Sequence, residues 1–178
     1  MSQNQHAYFG VLDTSNLQSD DIIWEREMLV SGKEVRVKLW AREGVALPEE
    51  ALDAYAKLLT RLPELDALAR PELVKYLKEH ADFIGEYMAA VEDGHDYPTV
   101  KALLQSALRV GQTEIAPEDF ESAMQLRSIS LWCPSYDEEE EDDSEVVFDY
   151  RIDPETSDQI LAVKFDAQGK LELIAWES

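Results

Sequence analysis

Basic residues are scarce: 16 Lys+Arg stand against 38 Asp+Glu in 178 residues, a formal net charge of -22. Nucleic acid is therefore not expected as a partner, because binding it needs clustered Lys and Arg to displace counterions. An anionic membrane surface is disfavoured for the same reason. Cysteine is scarcer still. The single Cys133 rules out an intramolecular disulfide and fits a reducing compartment. No apolar run approaches the roughly 18 residues of a membrane span. Met1 to His6 has neither a basic n-region nor an apolar h-region, so no signal peptide is expected there. The three histidines, His6, His80 and His95, stand at no metal-ligand spacing. No nucleophile elbow, phosphate loop, dinucleotide fingerprint or cysteine pair occurs. These absences lead to the expectation of a cytoplasmic protein with no cofactor and no metal.

What is present has the make-up of a globular chain. Hydrophobic residues amount to 45%, too many for a disordered chain. The length suits one domain over residues 1–178. Within it we expect an N-terminal β block (1–45), a helical block (46–125) and a C-terminal β block (126–178) with an acidic loop at 137–145. Charge is unevenly shared: the three blocks carry net -2, -9 and -11.

Tyr8 to Asp13 reads as a short first strand. Ile22, Trp24, Met28 and Val30 then alternate with Glu25, Glu27 and Leu29, with Arg26 on the apolar phase, Ser31-Gly32-Lys33 turns the chain, and Val35, Val37, Leu39 and Ala41 alternate with Arg36, Lys38, Trp40 and Arg42. Period two on both sides of a glycine turn is the pattern of a β-hairpin with one solvated face. Pro48-Glu49-Glu50 starts a helix, and Pro63 and Pro71 interrupt the region. A long helix is expected from Pro71 to Gly94 with the stripe Leu73, Leu77, Ala81, Ile84, Met88 and Val91. Further helices are expected from Pro98 to about Arg109 and from Ala116. Strands return with Ile129, Leu131 and Cys133, with Val146 to Ile152, and with a closing hairpin turning at Asp166–Lys170. In that hairpin Leu171, Leu173 and Ala175 take the inward phase and Ile174 and Trp176 the other. The expected fold is α+β: an antiparallel sheet of about six to seven strands, N-terminal three and C-terminal four, with a central block of about three to four helices on one face.

Tyr8-Phe9-Gly10, Trp24, the Val35–Leu39 strand, the step Ala116-Pro117-Glu118-Asp119-Phe120 into Ile129–Leu131, and the closing stretch from Ile160 to Gly169 together resemble a bacterial family, the domain of unknown function numbered two thousand and four. The resemblance spans most of the chain and rests on hydrophobic strand positions and turns. It implies a bacterial cytoplasmic protein of mixed α and β structure and brings no catalytic residue with it. The acidic insert is not part of the family pattern.

Candidate functional residues are accordingly those of an interaction surface. Trp40, Trp132 and Trp176 fall on the phase of their strands opposite the core, where exposed indoles anchor interfaces. Covering helices or loops would make that face core instead. The consecutive acids Asp137, Glu138, Glu139, Glu140, Glu141, Asp142 and Asp143 lack the spacing and glycine of a calcium loop. They read as a solvated or disordered loop and as bait for a basic partner. Cys133 sits on the apolar phase of its strand as a small buried hydrophobe. The first functional expectation is an immunity-like interaction module that binds a basic protein. The alternatives are an enzyme with an unrecognised carboxylate or metal site, and a domain that self-associates into a homo-oligomer.

Overall fold

The computed structural model describes residues 3–15, 17, 20–41, 47–92, 102, 115–133, 146–152 and 158–177. Two strands, β1 (Gln3–His6) and β2 (Gly10–Asp13), form a small antiparallel ribbon. The main sheet has six strands: β3 (Asp21–Val30), β4 (Lys33–Ala41), β5 (Gln125–Cys133), β6 (Val146–Arg151), β7 (Ile160–Phe165) and β8 (Leu171–Glu177). They lie side by side in chain order. The described helices are α1 (Glu49–Leu59), α2 (Leu62–Glu79), α3 (Asp82–Glu92) and α4 (Pro117–Ala123). The fold is α+β with a mostly antiparallel sheet.

Three expectations are corrected. The first strand does not enter the main sheet. It splits off with β1, whose polar sequence Gln-Asn-Gln-His carries no apolar alternation to announce it. The sheet is not wholly antiparallel, because β4 and β5 run parallel with Val37 opposite Ile129 and Trp40 opposite Trp132. A chain that leaves β4, passes through helices and returns beside it makes a crossover, and a crossover gives a parallel pair. The two β blocks thus meet in one sheet at a single parallel seam.

The third correction concerns the helices. No break falls at Pro71. α2 runs through it: the ring is exposed, and so is Ala67, whose carbonyl loses its donor to the proline. The break comes at His80, whose backbone leaves the helical region (φ -123°, ψ 62°). The change of direction turns Phe83 and Tyr87 of α3 inward instead of Ala81, which is exposed. The helix expected at 98–109 lies outside the described residues, apart from residue 102.

Local chemistry explains the turns. Ser31 and Gly32 both adopt positive φ (49° and 83°), as a two-residue turn matched to strand twist requires. Serine tolerates it here because its hydroxyl donates to Asp66 Oδ2 at 2.8 Å. The β7–β8 turn is held by Asp166, whose Oδ1 accepts from the Gln168 and Lys170 backbone N–H groups at 2.9 and 2.8 Å.

Alternate residues of the sheet, among them Val35, Val37, Leu39, Ile129, Leu131, Phe148 and Val163, join one buried cluster with Leu52, Tyr55, Leu65, Leu73, Leu77, Phe83, Tyr87 and Phe120 of the helices. Cys133 is in that cluster, buried as expected. Phe83 meets Phe120 and Trp176 edge-on at 5.9 and 5.0 Å, and Tyr87 meets Phe120 at 5.3 Å. Each such pair contributes about 0.5–1.5 kcal/mol beyond its burial.

Candidate interaction site

Residues directly opposite in a ladder share a sheet face, so the register defines the sheet's second face. Glu25, Glu27, Arg36, Lys38, Trp40, Ser128, Ser130, Trp132, Val147, Asp149, Ala162 and Lys164 all lie on it. Trp40 and Trp132 are brought together by the parallel seam. Their rings stack at 4.9 Å and 13°, both half-buried. Trp40 Nε1 donates to Ser130 Oγ at 3.2 Å. The Lys38 ammonium lies 5.8 Å from the Trp40 ring centroid, within cation–π range. The Tyr55 hydroxyl of α1 donates to the Trp132 carbonyl, which ties the helical layer to the backbone beneath the indoles.

Around the indoles, charge is paired locally. Arg36 bridges Glu27 at 2.8 Å and Glu25 at 3.9 Å. Lys164 reaches across to Glu177 at 3.0 Å, which leaves its side chain only 13% exposed. At the centre, Ser128 donates to Asp149 Oδ2 at 2.6 Å. Burial holds the Asp149 carboxyl above its ordinary value. The Ser128 hydrogen bond opposes that, Glu177 adds to it, and Arg151 and Lys38 pull the value back down.

Trp176 stands apart from the other two indoles. A bulge between Lys164 and Phe165 pairs Phe165 with Leu171 but Lys164 with Leu173, so Glu172 is the extra residue. Past it the phase reverses. Ile174 and Trp176 turn to the core side and Leu173 is 40% exposed. Trp176 packs on Phe83 and donates its N–H to Gln159. Residues Asp137, Glu138, Glu139, Glu140, Glu141, Asp142 and Asp143 lie outside the described residues.

A second polar constellation went unforeseen. Asp66 of α2 is buried and accepts from Ser31 Oγ and from the Tyr150 hydroxyl, each at 2.8 Å. Arg70 pairs with Asp66 at 3.2 Å and Glu121 at 2.8 Å, and donates to the Met124 carbonyl at 3.0 Å. Burial works against the Arg70 charge, and the two carboxylates more than offset it, so its pKa is raised. Burial also pushes the Tyr150 hydroxyl far above its ordinary value, so it stays a donor. The network binds α2 to the β3–β4 turn, β6 and α4. Its one sequence signal was the i, i+4 spacing of Asp66 and Arg70.

His6 is not at a frayed end. It is buried, its Nδ1 accepts from the Tyr8 and Phe9 backbone N–H groups at 3.2 and 3.3 Å, and Nε2 meets Asp53 Oδ1 at 3.2 Å. A ring nitrogen that accepts twice leaves the proton on Nε2, so Nε2 donates to Asp53. The His80 ring lies tilted against Tyr76 at 4.3 Å, and His95 is outside the described residues.

Two clefts are formed by described residues. One of about 310 Å³ lies between α1 and the β7–β8 turn, lined by Glu50, Lys57, Arg61 and Gln168 among others. The other, about 180 Å³, lies between α2 and β8. Among the described residues no group of three or more His, Cys, Asp or Glu could hold a metal ion, and no helix is long and apolar enough to cross a membrane. No family model, curated protein or solved structure matches the chain.

Proposed function

We propose that this chain is a cytoplasmic protein-interaction module that takes a basic protein partner on the second face of its sheet. The observation that carries the reading is the stacked pair Trp40–Trp132, half-buried on a face where neighbouring charges are already locally paired. Stacked indoles are rigid and lose little entropy on binding, which suits them to anchor an interface. Their electron-rich faces favour Lys and Arg of a partner. The net charge of -22 supplies long-range attraction for a cationic protein, acting on encounter rate more than on final affinity. The reading takes the part of the second face around the indoles for the partner; farther along that face Ala162 and Asp149 are already covered. Membership of the bacterial family that the sequence resembles belongs to the same proposal and adds no activity to it.

The test is capture of partners from an extract of the source cells by the wild type and by the Trp40→Ala and Trp132→Ala variants. Retention of basic proteins by the wild type, much weakened in both variants, is the expected result. Equal retention by all three proteins removes the indole pair from the interface.

A further inference from the structure

Two arginines at one end of the β5–β6 ladder have unmet hydrogen-bonding capacity. Arg127 is the extra residue of a bulge between Leu126 and Ser128, and Arg151 ends β6 opposite Gln125. The Nη2 of Arg127 donates to the carbonyl of Ile152, the residue next to Arg151, at 3.1 Å. In both arginines Nε is buried and has no hydrogen-bond partner. Among the described residues, neither guanidinium forms an ion pair. A buried N–H without an acceptor is rare in folded proteins and marks a place where a partner belongs. This is notable in a chain where acids so outnumber bases.

We propose that Arg127 and Arg151 form a binding site for a small oxyanion, the carboxylate or phosphoryl group of a metabolite-sized ligand. The planar guanidinium presents Nε–H and Nη–H as a fork, and two oxygens of a carboxylate or phosphate match it. Arg127 keeps Nη2 on the Ile152 carbonyl and so holds its orientation, which leaves its Nε–H without an acceptor. Glu177 on the same face is paired with Lys164, and the neighbouring Asp149 has one oxygen taken up by Ser128. The repulsion it offers an incoming anion is reduced because burial favours its neutral form. The site is separate from the indole pair, which lies at the opposite end of β5, so its failure leaves the protein-interaction reading untouched.

Titration calorimetry of the full chain at fixed ionic strength tests the site, with inorganic phosphate in one series and acetate in another. Saturable one-site binding of phosphate identifies a phosphoryl ligand, and of acetate a carboxylate ligand. Affinity is expected to fall by about tenfold or more in Arg127→Gln and in Arg151→Gln, as loss of a bidentate charged contact implies, and to be unchanged in Lys57→Gln, an exposed cation elsewhere. Circular dichroism checks that each variant is folded. Arg151→Lys keeps the charge and loses the fork, so it is expected to bind as weakly as Arg151→Gln. Absence of saturable binding of both anions to the wild type, or wild-type affinity in both glutamine variants, overturns the proposal.

Discussion

At the scale of single residues, Asp66 shows how a polar group earns a place in the core. It has three partners from three different elements, Ser31, Arg70 and Tyr150. Removing the carboxylate leaves a buried hydroxyl and half of an arginine fork without an acceptor. Asp66→Ala is therefore expected to destabilise the fold by about 3 kcal/mol, read from urea unfolding. Asp149 behaves in the opposite sense. Its folded-state pKa lies above the ordinary value near 3.8, so its ionised form opposes folding at neutral pH, and this opposition fades as pH falls through the raised value. Asp149→Asn is expected to be more stable than the wild type at pH 7. The gap should close on acidification and vanish below the ordinary carboxylate value. A gap that does not change with pH contradicts the account. The alternation of residues in the sequence placed Trp40, Trp132 and Cys133 on the correct faces. It misplaced Trp176 because period two holds only between bulges, and nothing in Glu172 marks it as the extra residue. Asp66 was illegible for a different reason: apart from Arg70 at i+4, its partners lie 35 and 84 positions away.

At the scale of elements, the strands with strong alternation were readable and those without it were not. β3 and β4, joined by Ser31-Gly32, could be read directly except at Ile22, which a bulge at Ile23 puts opposite Trp40 on the second face instead of in phase with Trp24, whereas β1 has no apolar period and forms because β2 pairs with it. Proline misled in α2, because with Pro71 and Ala67 both exposed the carbonyl that loses its donor is open to water. The parallel seam is a consequence of topology, and no local pattern encodes it. The β7–β8 turn gives a test at this scale. Gly169 has φ of 83°, and a Cβ there would lie 3.0 Å from Leu65 Cδ2 of α2. Gly169→Ala should thus add backbone strain and crowd the helix–turn contact, at a cost of about 1–3 kcal/mol by thermal or urea unfolding. Unchanged stability would mean that α2 shifts freely against the turn.

At the scale of the whole molecule, the charge is a property of the protein and not of one segment. The stretch 137–145 contributes eight acids, and the chain without it would still carry -14. The described sheet face is locally balanced, while exposed acids such as Glu49, Glu50, Asp53, Glu79, Asp82 and Glu86 lie on the helices. Attraction of a cationic partner then comes from the field of the entire chain, and specificity from the indoles. Both contributions can be separated by salt, which screens the field within about 10 Å at 0.1 M but leaves indole contacts largely intact. The decisive measurement is the affinity of the captured partner as a function of salt concentration, for the wild type, for a variant lacking 137–145, and for Trp132→Ala. The account predicts a basic partner bound more weakly as salt rises. Deletion of 137–145 should reduce that salt dependence without abolishing binding, and Trp132→Ala should weaken binding at every salt concentration. A partner that is not basic, or an affinity indifferent to salt, would contradict it.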